Sequence, residues 1–107
     1  MIAPFTEAEL LSLILELAKL CGWRSYHARA ARTRQGWRTA VQGDGVGWPD
    51  VFLVRGSRAE AWELKAARGR LTREQAGWGV TLQVAGIAWR VVYPASWLNG
   101  DVGRWLA

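Results

Sequence analysis

The first regular pattern along the chain is helical. Over residues 7–20 the apolar positions recur every three or four residues: Leu10, Ile14, Leu17, Ala18 and Cys21 fall on one side, Glu9, Ser12, Glu16 and Lys19 on the other. Thr6-Glu7-Ala8-Glu9, preceded by Pro4, has the form of a capping box that opens such a helix, and Gly22 is placed to end it. Glu7 projects onto the apolar side, above Leu10, Leu11 and Ile14, an odd place for a carboxylate unless something inside uses it. The period then shortens. Residues 23–27 read as a strand. Residues 28–47 form a long glycine- and arginine-rich stretch with one short strand expected at 37–41. Residues 51–54 and 60–65, separated by Gly56-Ser57, predict a hairpin that brings Asp50 and Glu63 onto adjacent strands. Thr72-Arg73-Glu74-Gln75 is a second capping box, opening a helix that reaches Ala85-Gly86, although Gly77 and Gly79 each weaken it by about 1 kcal/mol. An apolar strand at 87–93 is closed by Pro94, and residues 96–106 predict a short terminal helix with Trp97, Leu98, Trp105 and Leu106 inward. The order α-β-β-β-α-β makes this an α/β chain with a mixed central sheet flanked by helices.

Length and composition narrow the class. The 107 residues suit one domain, 1–107, and a chain half apolar and about a fifth charged is globular rather than disordered. No run approaches the roughly 18–20 apolar residues of a membrane span. No early basic segment precedes the first helix and Glu7, Glu9 and Glu16 interrupt it, so neither a secretory leader nor a membrane location is expected; a cytoplasmic one is. Cys21 alone builds neither a disulfide framework nor a zinc site. Eight tryptophans are expected mostly in the core, where each buries a large area, and none is assigned to a site.

Charge adds a direction. The formal net charge is +5, and no acidic residue lies between Glu16 and Asp44, where Lys19, Arg24, Arg29, Arg32, Arg34 and Arg38 all fall. Such a one-signed patch attracts phosphate backbones by releasing counterions, though a solvated basic surface without a partner fits equally well. The excess of Arg over Lys, twelve to two, is also what codon usage in a GC-rich genome produces and decides nothing.

The chemistry concentrates at Asp50, Glu63 and Lys65. Residues i and i+2 of a strand face the same way, so Glu63 and Lys65 project together while Leu64 enters the core. Two converging carboxylates repel, and a hard divalent cation relieves that repulsion while keeping positions open for water. Beside it, the Lys65 ammonium can steady charge developing on phosphorus. The competing reading is a cross-strand salt bridge, since E-x-K is common. Asp44 is a further carboxylate, but Gly43-Asp44-Gly45 reads as a turn.

Taken jointly, Gly47-Trp48-Pro49-Asp50, Glu63-Leu64-Lys65 and Gly69-Arg70-Leu71-Thr72 followed by Gln75 closely resemble the PD-(D/E)XK nuclease superfamily, in particular its virus-type replication–repair (VRR-NUC) branch. The resemblance covers nearly the whole chain except the last dozen residues. It implies a restriction-endonuclease-like αβββαβ core, Mg²⁺ or Mn²⁺ as cofactor, and structure-selective cutting of DNA, branched or junction DNA included, in phage or bacterial replication, recombination or repair. Residue by residue it implies Asp50 and Glu63 as metal ligands with the Leu64 carbonyl, Lys65 as the catalytic lysine, Glu7 rather than Glu9 as the helix glutamate, and Gln75 near the lysine. His27 is expected in a structural or phosphate-contacting role. Arg29, Arg32, Arg34, Arg38 and Arg70, with Arg68 and Arg73, would hold the DNA backbone, and a homodimer would enlarge the footprint. The alternative is a nucleic-acid-binding module on the same fold that has lost turnover.

Overall fold

The computed structural model describes residues 5–28, 31–34, 36–38 and 41–107, with backbone alone at 31–33, 37 and 38. Helix α1, Glu7–Leu20, begins where its sequence signature places it: Thr6 accepts from the Glu9 N–H and the Glu9 carboxylate accepts from the Thr6 N–H, both at 3.1 Å. Leu10, Ile14 and Ala18 are its fully buried positions. Gly22, with φ +84°, turns the chain into β1, Arg24–Tyr26.

The following stretch differs from expectation. β3 (Gly36–Arg38) overlaps the strand expected at 37–41, of which residues 39 and 40 lie outside the described residues. It pairs with an additional strand, β2 (Ala31–Thr33), in an antiparallel hairpin that forms a two-stranded sheet of its own. Gly36, with φ +100°, supplies backbone freedom at the tight turn. Strands β4 (Val51–Arg55) and β5 (Arg58–Leu64) then form the expected hairpin, with Val51 opposite Trp62. Asp50 itself lies one residue before β4 rather than within it. Helix α2, Arg73–Val84, carries the chain across to β6, Ala88–Val92, which runs parallel to β5. The main sheet has the order β1-β4-β5-β6, antiparallel except for the last pair. The molecule is therefore mixed α/β, a four-stranded mixed sheet flanked by helices.

The terminal segment is two helices, not one. α3 (Pro94–Leu98) and α4 (Asp101–Leu106) are separated by Asn99-Gly100, and Gly100 has φ +89°. The break rotates Leu98 outward to 69 % exposure, against the inward position expected for it, and puts Val102 into the core beside Leu106.

Strand alternation divides the sheet. Val51, Leu53, Trp62 and Leu64 join Leu10, Ile14, Val102 and Leu106 in one core, where each fully buried aliphatic contributes about 1.5–3 kcal/mol. Phe52 and Glu63 take the opposite face, under α2. The core is tied to the end of α4: the buried Trp23 indole N–H donates to the Leu106 carbonyl at 2.9 Å, and Arg55 donates to the carbonyls of Cys21, Leu106 and Ala107. Among the described residues no helix is long and apolar enough to cross a membrane.

Candidate metal and catalytic site

Every side chain of the candidate site is set by a local rule. Glu63 and Lys65 share a face because they are two apart at the end of β5, and Glu63 is only 2 % exposed. Asp50 reaches the same point from the start of β4, where its Oδ2 accepts the Leu64 N–H at 2.8 Å. His27, just past β1, holds the backbone there: its Nδ1 lies 2.7 Å from the Asp50 carbonyl oxygen, which can only accept, so this nitrogen carries the proton. The bond gives His27 a structural part in the site, one of the two roles expected for it.

Gln75 joins the cluster from α2. It is the third helical residue, and its Oε1 accepts from the Thr72 N–H at 2.9 Å while Thr72 accepts from the Gln75 N–H, completing the second capping box. The same Oε1 accepts from Lys65 Nζ at 2.8 Å, and its Nε2 donates to Glu63 Oε1 at 2.7 Å. Cap and bridge are thus one side chain, and only this orientation of the amide pairs every donor with an acceptor. Lys65 Nζ stands 3.6 Å from Glu63 Oε1, and the glutamine spans the two.

The electrostatics are unbalanced. Burial pushes the Glu63 carboxyl up to about 8, the Asp50 carboxylate beside it adds to the rise, and Lys65 opposes it. Its other oxygen, Oε2, is buried and receives no hydrogen bond, and the contact between the Glu63 and Asp50 carboxyls itself holds a proton on the pair. Glu7 is exposed by area, contrary to the buried side expected for it, yet it lines a recess with His27, Asp50 and Leu64. Partial burial raises its carboxyl too, and Asp50 adds to the rise. Glu9 is engaged with Thr6, so of the two helix glutamates only Glu7 faces the cluster.

Among the described residues no three of the His, Cys, Asp and Glu side chains form a ready-made metal cage. A hard cation that keeps several waters does not require one. Two carboxyl groups in buried contact fit such an ion, because divalent charge there takes the place of the shared proton and relieves the repulsion. The main-chain group of Leu64 that the structure ties to the cluster is its N–H, on Asp50.

The basic residues are less concentrated. Arg29 lies outside the described residues, as do the side chains of Arg32 and Arg38. Arg34 is exposed in the β2–β3 turn, and exposed Arg68 and Arg70 line a separate recess with Tyr93 and Ser96. One buried group was missed from sequence: Glu60, 3 % exposed, bonded to Arg58, Trp62 and Arg90. Alternation along β5 would have found it, since Glu60 shares the inward face of Trp62 and Leu64. Comparison with family models gives no match, and comparison with curated proteins gives none either.

Proposed function

We propose that this chain is a divalent-metal-dependent nuclease that hydrolyses phosphodiester bonds in DNA, on a restriction-endonuclease-like core of the PD-(D/E)XK type with VRR-NUC-like motifs. The observation that carries the proposal is the Asp50–Glu63–Lys65–Gln75 cluster, in which two carboxyl groups meet at a buried point and the Lys65 ammonium is held beside them. Asp50 and Glu63, with the Leu64 carbonyl and Glu7, are the groups that would hold Mg²⁺ or Mn²⁺. The ion, when bound, supplies Lewis acidity toward a phosphoryl oxygen and toward water. Lys65 places positive charge where negative charge develops on the phosphoryl group. Gln75 fixes the lysine relative to Glu63, and His27 fixes the backbone of Asp50, so both groups are oriented before substrate arrives.

Exposed Arg34, Arg68, Arg70 and Arg73 suit phosphate contacts, which position DNA without reading its sequence. Cutting selective for structure rather than sequence, a homodimer on branched DNA, and a role in phage or bacterial replication and repair in the cytoplasm complete the proposal as the motif resemblance implies them.

The test is cleavage of labelled single-strand, duplex, flap and four-way-junction DNA with Mg²⁺, Mn²⁺ or EDTA. Cutting is expected with metal alone and should fall at least about 100-fold in Asp50→Ala and Lys65→Ala. DNA binding with no metal-dependent cutting would replace the nuclease by a binding module.

A further inference from the structure

Beside the carboxylate cluster lies a cavity of about 570 Å³, within the range of ligand sites. Tyr26, Val41, Val46 and Trp48 line it, and all four are large apolar side chains left open to solvent, at 63, 48, 61 and 39 % exposure. Asp50 and Gln75 line the same cavity, so it is continuous with the candidate catalytic groups.

Its aromatic wall is fixed in advance. The Trp48 ring is stacked on Phe52 at 5.9 Å and meets Trp78 edge-on at 4.9 Å. The Trp78 indole N–H in turn donates to the Asp44 and Val46 carbonyls, at 2.9 and 3.1 Å. Gly47, at φ +88°, lies so close to α2 that a Cβ there would come within 2.6 Å of the Glu74 backbone. A ring held this way stays partly exposed without collapsing onto its neighbours, and a flat partner stacking on it costs little ordering.

We propose that this cavity receives an unpaired nucleobase of the strand being cut, stacked on Trp48 with Tyr26 beside it. The proposal rests on the nuclease reading and gives it a substrate class: single-stranded or locally unpaired nucleic acid. A phosphate placed at Asp50 puts its own nucleoside within reach of the adjoining cavity. In an intact duplex that base is paired and stacked, and only an unpaired one can enter. Stacking accepts every base, so the cavity selects for strand state and not for sequence.

The experiment measures binding to the Lys65→Ala chain with Mg²⁺, so that cutting does not intervene. The probes are a single-stranded DNA, its duplex, and a series of the single strands each carrying one abasic position. The single strand should bind about tenfold more tightly than the duplex, and one abasic position should weaken binding by about tenfold. Adding Trp48→Ala should erase that positional loss, whereas Trp48→Phe, which keeps an aromatic face, should retain it. An abasic series with no sensitive position overturns the proposal even if the alanine variant does not fold, and so does a sensitivity that survives in Trp48→Ala. The nuclease reading fails separately. Metal-dependent cutting with no abasic sensitivity removes the base pocket alone, and abasic sensitivity without any cutting by the Lys65-containing chain removes the nuclease alone.

Discussion

At the scale of single residues, Glu63 is a buried carboxyl whose ionisation folding opposes. Its carboxyl is raised from 4.5 to about 8 by burial first and the Asp50 charge second. A carboxyl raised on folding favours the folded state below its unfolded value and loses that contribution as pH climbs to the folded value. Metal-free wild type should therefore lose stability between pH 4.5 and about 8, and Glu63→Gln, which carries no charge, should not. In EDTA the variant is expected to unfold at least about 4 °C above wild type at pH 8, with the difference vanishing near pH 4. Thermal melts at the two pH values check this, and added Mg²⁺ should narrow the gap at pH 8. Gln75 and Thr72 give a second contrast, because the first is both cap and bridge and the second only a cap. Thr72→Ala should cost about 1 kcal/mol of stability and leave cleavage within a few-fold. Gln75→Ala should cost a similar amount of stability but lower cleavage at least about tenfold, since Lys65 and Glu63 lose their common partner.

At the scale of elements, the helix starts were legible in the sequence because a capping box is local: four consecutive residues carry both hydrogen bonds, at Thr6 and again at Thr72. The convergence of Asp50, Glu63 and Lys65 was legible for a similar reason, since strand alternation and a short hairpin fix it. What stayed hidden depends on partners distant in sequence. Gly79 looked like a flaw in α2, yet a Cβ there would stand 2.7 Å from the Trp89 ring on β6, so the glycine lets the strand pack against the helix. Gly77, by contrast, has nothing within 4 Å of a built Cβ. Gly77→Ala should stabilise the protein by up to about 1 kcal/mol. Gly79→Ala should destabilise it despite the same gain in helix propensity, by about 1–3 kcal/mol, and urea titrations of the pair separate the two. The strand β2 and its pairing with β3 are not legible in the sequence, because β2 is three residues long and lacks an apolar alternation. The break at Asn99-Gly100 was missed because Leu98 continues the helical pattern into a turn that exposes it.

At the scale of the whole molecule, a buried carboxylate ties β5 to β6. Glu60 bonds to Arg90 on β6 at 2.7 Å, to the Trp62 indole at 2.8 Å and to Arg58 at 3.0 Å. Burial works against its ionisation, but these bonds outweigh it, and its carboxyl is held below the ordinary value. A carboxyl lowered on folding contributes stability above its unfolded value and loses it as pH falls through the folded one. Glu60→Gln is accordingly expected to cost about 1–3 kcal/mol at pH 7 and to converge with wild type in acid below the usual carboxylate range, as urea titrations across pH can show. The ties made by Trp23 and Arg55 to Leu106 reach across 83 and 51 positions of chain. Such distant contacts come late in folding, because the intervening loop must close before they repay its entropy. During synthesis, then, the hairpin bearing Asp50, Glu63 and Lys65 leaves the ribosome well before α4 does. Until Val102 and Leu106 arrive, the core between that sheet and α1 lacks two of its fully buried side chains. The hairpin bearing Asp50, Glu63 and Lys65 thus waits for α4 to fill its core.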